Sequence, residues 1–247
     1  MVTGESSSPE NQTINQRLLE QYNEIAQLAG SLAHEIKNPL SVIRMNMDLL
    51  AEELDPPQTS AERRALQKTK IVQDQCMRLQ NLLDDFLRFA RLRQLNLLPG
   101  SLNEQVDRVL DFVAAQAEKQ GIEIVRFLDA DLPSINCDAE TLYSALLNLV
   151  INAIQAMPDG GTLMVRTQET RHGVALGFID TGCGMNEETA LHMFDAFYST
   201  KDGGSGLGLP LARKIIDAHH ARIDVQSELG RGTKFTLEFP KPARIGG

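Results

Sequence analysis

Apolar residues in the first third of the chain recur at alternating spacings of four and three, the repeat of helices that share an apolar seam. The first row predicts a helix over residues 13–54; its members are Leu18, Tyr22, Ile25, Ala29, Leu32, Ile36, Leu40, Ile43, Met47, Leu50 and Leu54. A second row predicts an antiparallel helix over residues 60–94, with Val72, Cys76, Leu79, Leu83, Phe86 and Ala90. One hairpin cannot bury two such seams, so we expect a homodimer in which two hairpins form a four-helix bundle.

The pattern changes after Pro99 and Gly100 to a mixture of shorter helical and alternating segments. Helices are predicted over residues 102–119, 139–157 and 207–218, and strands over residues 122–127, 162–168, 174–180, 223–227 and 233–239. This order predicts an α/β layer in which one mixed sheet carries helices on one face. We therefore divide the chain into a disordered lead-in (1–12), a helical hairpin (13–96) and an α/β domain (97–243).

Composition narrows the classes of partner. The net charge of −9 gives no general electrostatic affinity for nucleic acid. Cys76, Cys137 and Cys183 lie too far apart for a zinc motif or a disulfide framework, so a reducing, cytoplasmic setting is expected. No apolar run approaches the roughly 20 residues that span a bilayer, and no signal peptide is recognised, so we expect no membrane span in this chain.

One histidine on the first predicted helix has the surroundings of a nucleophile. Leu32 and Ile36 are seam positions on either side of His34, so the imidazole is expected on the outer face of the helix. Glu35 is adjacent and can fix the tautomer by accepting the ring N–H, while Asn38 lies one turn further along. On an arbitrary helix, a solvated surface histidine would be the simpler interpretation.

Amide side chains interrupt an otherwise apolar helix in the second domain. Asn148, Asn152 and Gln155 share one stripe. Buried amides need partners, and hydrogen bonds to neighbouring backbone would satisfy them structurally. The functional alternative is a ligand with a hydrated cation, because amide oxygens suit Mg²⁺.

A carboxylate at the end of an apolar strand is followed by two glycines, Gly182 and Gly184. Asp180 can accept a hydrogen bond from an exocyclic amino group, and the glycines allow close approach to a flat ring, although a plain turn is the alternative. Further along, Phe194 and Phe197 can anchor a mobile lid and Lys201 can meet a phosphate, although two phenylalanines three apart are more often simply core residues.

A glycine-rich segment then leads into a predicted helix, with Gly204, Gly206, Leu207 and Gly208 at its start. The N-terminus of such a helix offers N–H groups to an anion. The segment matches neither the P-loop pattern nor the dinucleotide fingerprint, and a flexible surface loop is the alternative.

Taken together in this order, the motifs resemble the transmitter core of two-component sensor histidine kinases. Their residues are most similar to those of the nitrogen-regulation type. Residues 34–40 resemble the family's H box, 148–152 its N box, 180–184 and 204–208 its two glycine boxes, and 194–201 its F box. The resemblance implies a phosphoacceptor hairpin that forms a dimeric four-helix bundle, followed by a Bergerat (GHKL) α/β sandwich that binds ATP.

The resemblance also implies residue roles. His34 would accept the phosphoryl group, Glu35 would act as its base, and Asn38 would orient water for dephosphorylation of a partner. Asn152 would hold Mg²⁺, and Asp180 would bind the adenine amino group. The remaining implied nucleotide contacts are Asn148, Gly182, Gly184, Lys201, Gly204, Gly206, Leu207, Gly208 and Thr233.

The implied activity is ATP-dependent autophosphorylation of His34, followed by transfer to an aspartate of a response regulator receiver domain. A response regulator phosphatase activity and a sensor domain or sensory partner upstream are also implied. Alternatives are a non-catalytic ATP-binding scaffold, a phosphatase-dominant protein and a DNA-topology or mismatch-repair ATPase. The last of these predicts no histidine on a dimeric hairpin.

Overall fold

A computed structural model describes residues 35–90, 95–201 and 204–241. His34, the lead-in, the part of the first predicted helix before residue 35 and the end of the second predicted helix at 91–94 lie outside these ranges. The chain forms two compact units that divide between Arg91 and Leu92. None of the helices in the described ranges is long and apolar enough to cross a membrane.

The first unit is a helical hairpin of α1, over residues 35–53, and α2 (Ser60–Ala90). Polar contacts fix the direction of the two helices. Lys37 near the start of α1 forms an ion pair with Asp84 near the end of α2. Further along, Gln73 Nε2 donates to Asp48 Oδ1 at 2.7 Å. Low residue numbers of one helix therefore meet high numbers of the other, so the predicted antiparallel arrangement is confirmed.

Reciprocal hydrogen bonds set the start of α2. The Thr59 hydroxyl accepts from the Glu62 N–H at 3.1 Å, and the Glu62 carboxylate accepts from the Thr59 N–H at 3.1 Å. This capping box satisfies two backbone donors that the first turn leaves without helical partners. The helix therefore begins at Ser60, as the sequence predicts.

Much of the apolar surface of the hairpin stays exposed in a single chain. Leu40 and Cys76 are buried, at 8% and 4% exposure. Other large apolar side chains on the two helices are 38–59% exposed: Ile36, Val42, Ile43, Met45, Leu49, Leu50, Ile71, Val72, Met77 and Leu79. Ten exposed large apolar side chains on one helical hairpin are the kind of surface that a protein partner covers.

The second unit is a mixed α/β layer. Its helices are α3 (Leu102–Lys119), α4 (Ala139–Gln155), α5 (Glu187–His192) and α6 (Gly208–Ala218). Its strands are β1 (Leu98–Gly100), β2 (Ile122–Phe127), β3 (Ile135–Cys137), β4 (Gly161–Glu169), β5 (Gly173–Asp180), β6 (Arg222–Glu228) and β7 (Gly232–Pro240). Five strands form one sheet in the order β2-β4-β5-β7-β6, with β2 parallel to β4 and the other neighbours antiparallel. The short strands β1 and β3 pair separately.

One face of the large sheet forms the core with the helices. Phe178 pairs with Phe235, and Leu176 pairs with Leu237, so these buried side chains lie in two adjacent inward rows. Helices α3, α4 and α6 each contribute a buried apolar stripe. Because side chains alternate along a strand, Asp180 continues the inward row of β5 at its last residue. The strand therefore directs this carboxylate toward the helix layer.

The predicted mixed sheet with helices on one face is confirmed, and the predicted long elements agree with the structure within two residues at each described end. Strands β1 and β3 and helix α5, which are three, three and six residues long, were not predicted. Segments this short do not complete enough periods for an apolar repeat to be recognised.

Candidate functional site

The end of β5 is joined to the C-terminal end of α4. The Cys183 N–H donates to the Ala156 carbonyl at 2.9 Å. A Cβ on Gly182 would come within 2.6 Å of the same carbonyl oxygen, so no larger residue fits there without displacing backbone. This contact brings the Asp180 strand end and the amide stripe of α4 to one end of the unit. The predicted glycine turn is thus required by protein packing.

Asp180 is buried at 4% exposure, and its Oδ1 accepts from the N–H groups of Gly182 at 2.9 Å and Thr233 at 3.1 Å. No hydrogen bond to Oδ2 occurs among the described residues. Since every buried side-chain oxygen in those ranges has a partner, Oδ2 must be at an accessible position. Burial raises the pKa of Asp180, while the two hydrogen bonds and the charge of Lys201 oppose the rise.

A second layer of hydrogen bonds holds the Asp180 partners. The Ser227 hydroxyl and the Thr233 hydroxyl are 2.9 Å apart, and Ser227 Oγ also accepts from the Met185 N–H at 2.9 Å. Ser227 therefore ties β6 to the glycine turn and to the strand that contacts Asp180. The supporting role of Ser227 was not predicted, because one serine in an exposed strand pattern carries no distinguishing signal.

The amide stripe of α4 meets a lysine. The Lys201 ammonium donates to Asn152 Oδ1 and, at 2.9 Å, to Gln155 Oε1. Burial lowers the pKa of Lys201, and the charges of Cys183 and Asp180 oppose this shift. The stripe is thus neither backbone-bonded nor apolar at these two positions; it holds a positive charge.

Helix α6 starts beside the same stripe. A Cβ on Gly208 would be 3.4 Å from Asn148 Oδ1, which places the half-buried Asn148 against the first turn of α6. No side chain caps this helix start. Leu207 is buried in the core, and its N–H donates to Ser205 Oγ at 3.3 Å. An uncapped helix start offers its free N–H groups to an anion.

The predicted aromatic segment packs against the glycine-rich segment. The Phe197 N–H donates to the Gly206 carbonyl at 3.0 Å. Gly206 has a φ of 65°, and a Cβ there would lie 2.5 Å from the Phe197 carbonyl carbon. Gly204 lies against Ser199, whose hydroxyl would be 2.4 Å from a Cβ at position 204. The structure therefore brings the two segments together.

The site residues predicted on the hairpin are only partly described. Glu35 and Asn38 are exposed on α1. His34 lies outside the described residues.

Gly184, at the predicted nucleotide site, has a φ of 64° and lies against the Glu228 carbonyl, so its backbone is also fixed by packing.

A buried histidine supports the start of α4. His219 Nε2 accepts from the Asp138 N–H at 3.1 Å, and Nδ1 lies 2.8 Å from the Ile215 carbonyl, so Nδ1 carries the proton. The Asp138 side chain caps α4 by accepting from Thr141. Burial raises the pKa of Asp138, but hydrogen bonds from Thr141 and Asn96 outweigh it and hold the pKa below its usual range. The structural role of His219 was not predicted, because a pair of adjacent histidines in the sequence does not indicate that one of them is buried and hydrogen-bonded.

The donor set on α4 suits a hydrated divalent cation. Asn152 and Gln155 present amide oxygens to one positive charge, the Lys201 ammonium. Mg²⁺ keeps several of its waters and takes few protein oxygens, so one or two amide oxygens beside the phosphates of a ligand would suffice to hold it. The described residues contain no group of three or more His, Cys, Asp or Glu side chains placed for a metal.

An inward strand-end carboxylate, an amide-bearing helix and an uncapped helix start lie at one end of this α/β sandwich, and the family comparisons identify it as an ATPase-type domain. Residues 137–243 match the family described as histidine kinase-, DNA gyrase B-, and HSP90-like ATPase. Residues 24–95 match the His Kinase A (phospho-acceptor) domain. The chain is 32% identical over 259 residues to the sensory histidine kinase/phosphatase NtrB of Escherichia coli O157:H7, a match that covers 97% of this chain and 70% of that protein. The chain therefore belongs to the sensor histidine kinases, as the motifs predict.

Other relatives are longer than this chain. The signal transduction histidine-protein kinase AtoS of Escherichia coli K12 is 32% identical over 217 residues, which covers 87% of this chain and 35% of AtoS. Sporulation kinase E of Bacillus subtilis is 30% identical over 217 residues, and the match covers 87% of this chain and 28% of that kinase. The chain thus spans about a third of these two proteins.

Solved structures share the fold. Full-length ShkA in complex with AMPPNP superimposes with a TM-score of 0.69 at 29% identity, covering 87% of this chain and 45% of ShkA. The catalytic domain of the histidine kinase ThkA gives a TM-score of 0.55 at 30% identity, covering 60% of this chain and 97% of that domain. The hairpin-plus-sandwich fold class is therefore confirmed.

Proposed function

We propose that this chain is the ATP-dependent autokinase core of a two-component system, in which His34 receives the γ-phosphoryl group of ATP. The observation that carries the proposal is the convergence of Asp180, Asn152 and the start of α6 at one end of the sandwich, in a chain whose other unit matches a phospho-acceptor domain. A DNA-topology or mismatch-repair ATPase has no use for such a hairpin.

The adenine ring would be recognised by Asp180. Its Oδ1 is occupied by two backbone N–H groups, which leaves Oδ2 for the exocyclic amino group. The backbone bonds orient the carboxylate before the nucleotide arrives, so little side-chain freedom is lost on binding. Thr233 acts through its N–H and its contact with Ser227, which supports a positioning role for this threonine.

The phosphates would lie along the start of α6. The first turn of α6 has no side-chain cap on its N–H groups, and the Lys201 ammonium is held on the amide stripe of α4, against whose Asn148 that turn packs. Asn152 would hold Mg²⁺, with the backbone of Gly204, Gly206 and Gly208 close to the phosphates. When bound, Mg²⁺ supplies charge neutralisation across the phosphate oxygens.

At the hairpin, a ring nitrogen of His34 would attack the γ-phosphorus as the bond to the β-phosphate oxygen breaks and ADP leaves. Glu35 would accept the other ring N–H and so present the attacking lone pair. The exposure of Glu35 and Asn38 supports access to this face of α1 by the nucleotide unit and by a partner in turn.

Dimerisation and transfer follow from the hairpin. The exposed apolar face of α1 and α2 supports a homodimer in which two hairpins form a four-helix bundle. We expect the phosphoryl group to pass to an aspartate of a response regulator receiver domain, with a sensor domain or sensory partner acting upstream. The three cysteines are unpaired, which supports a reducing, cytoplasmic setting.

A response regulator phosphatase activity is favoured by one specific feature. Asn38 is exposed one turn along the helix from residue 34, where its amide can orient a water. The relative NtrB is itself described as a kinase/phosphatase. Asn38→Ala should slow dephosphorylation of a phosphorylated receiver while His34 labelling stays within twofold; equal loss of both activities would contradict the assignment.

The test of the kinase proposal is incubation of the full chain with γ-labelled ATP and Mg²⁺. Covalent label that is acid-labile and alkali-stable, and that disappears in His34→Gln, is the expected result. ATP binding without label would favour a scaffold or a phosphatase-dominant protein. Label that persists in His34→Gln would assign the phosphoacceptor elsewhere.

A further inference from the structure

We infer that the Lys201 ammonium competes with Mg²⁺ for the Asn152 oxygen on α4, with Gln155 as the second anchor of the ammonium. Binding of metal-loaded ATP then requires exchange of the ammonium for the metal at Asn152. This inference rests on the proposed nucleotide site and adds a regulatory role for two of its side chains.

The contacts of the ammonium carry the first step. Lys201 Nζ donates to Asn152 Oδ1 and to Gln155 Oε1, and these residues lie three apart, on one face of α4. A side chain from a segment 46 positions further along the chain thus bridges the last turn of the helix. A hydrogen bond from a charged donor is stronger than one from a neutral donor, so both amide oxygens help to hold the ammonium.

Competition is the second step. The Asn152 oxygen that would ligate Mg²⁺ is the oxygen that accepts from Lys201. An ammonium and a divalent cation at contact distance from one oxygen repel each other, so the two cannot share it. Metal binding at Asn152 therefore displaces Lys201, which becomes free to meet a phosphate.

Gln155 distinguishes this exchange from simple phosphate binding. The residue is exposed at the end of α4, and its oxygen accepts the ammonium at 2.9 Å. A lysine that only binds phosphates does not require a second hydrogen-bond acceptor on the helix. Loss of the Gln155 anchor should weaken the hold of α4 on the ammonium while Lys201 and Asn152 are both still present.

The experiment is calorimetric titration of the full chain with AMPPNP, with excess Mg²⁺ and separately with EDTA. For Gln155→Leu, the affinity for Mg²⁺–AMPPNP should rise about three- to fivefold, the effect of losing one solvent-exposed charged hydrogen bond. The affinity for metal-free AMPPNP should change by less than about twofold, because no metal then displaces Lys201 from Asn152. Gln168→Leu, at an exposed glutamine near the far end of β4, is the matched control and should change neither value.

A double-mutant cycle excludes other effects of Gln155. In a Lys201→Met background, Gln155→Leu should alter Mg²⁺–AMPPNP affinity by less than about twofold. The same gain in both backgrounds would overturn the inference, as would an unchanged affinity in Gln155→Leu alone. Failure of the wild-type chain to bind Mg²⁺–AMPPNP would refute the proposed nucleotide site itself, and with it the role of Lys201.

Discussion

Replacement of Asp180 by asparagine tests the proposed adenine site most directly, because it changes one acceptor into a donor at nearly constant volume. In the wild-type chain Oδ1 accepts from Gly182 at 2.9 Å and Thr233 at 3.1 Å, and the asparagine carbonyl can keep both bonds. The new Nδ2 group then takes the Oδ2 position and faces the adenine amino group as a second donor. The fold should survive while recognition is reversed.

The expected loss follows from the type of bond removed. A hydrogen bond to a charged acceptor contributes about 1.5–3 kcal/mol, so ATP affinity should fall about 10- to 150-fold in Asp180→Asn. Inosine triphosphate carries a carbonyl oxygen where adenine has the amino group. It should bind Asp180→Asn more tightly than it binds the wild type, because the asparagine donates to that oxygen.

Stability and pH dependence supply independent readouts. Burial raises the pKa of Asp180 in the folded chain, so its ionised form costs stability at neutral pH. Stability contributed by this group is complete below the unfolded-state pKa and is lost as the pH rises through the raised folded-state pKa. Asp180→Asn should therefore unfold at the same or a higher temperature at neutral pH. Wild-type ATP affinity should decline as the pH falls through that raised pKa, and the variant should lack this decline.

The assay is titration of the wild-type chain and of Asp180→Asn with ATP and inosine triphosphate, at pH values on both sides of the raised pKa of Asp180. Thermal unfolding of both proteins is measured alongside. Equal loss of affinity for both nucleotides, with a lower unfolding temperature, would mean that Asp180 supports the fold and does not read the base. Unchanged ATP affinity would place the adenine elsewhere.

Three further substitutions test the supporting structure. His219→Ala removes two ring contacts and leaves the Asp138 N–H without its acceptor, so denaturant unfolding should show a loss of about 3 kcal/mol; a loss under 1 kcal/mol would contradict this. Phe197 has a φ of 68°, so Phe197→Gly should stabilise the chain by about 0.5–1 kcal/mol, and a lower unfolding temperature would argue against strain. Leu79 is 49% exposed on the apolar face of α2. In sedimentation, Leu79→Glu should be a monomer and the control Arg78→Glu a dimer. If both variants sediment as dimers, this face is not the dimer interface.

Much of the architecture is determined locally, which is why the sequence predicts it. Helices α3 and α4 repeat apolar residues over 18 and 17 positions, enough periods for their type and ends to be recognised. Strand β5 ends at Asp180 because the apolar run ends there and glycines follow. The resemblance of the motifs to sensor histidine kinases also needed only their order, and the comparisons confirm it.

Tertiary structure alone decided the partners of those residues. The contact of Lys201 with Asn152 joins positions 49 apart, and the bond from Asp138 to His219 joins positions 81 apart. No local pattern encodes such pairs, because they arise when strands and helices pack and each buried polar group needs a partner. The same packing assigns Gly182 to contact with Ala156, where the sequence suggested room for a flat ring. Sequence periodicity thus predicts which face of an element is buried, and only the packed fold determines which side chains meet across it.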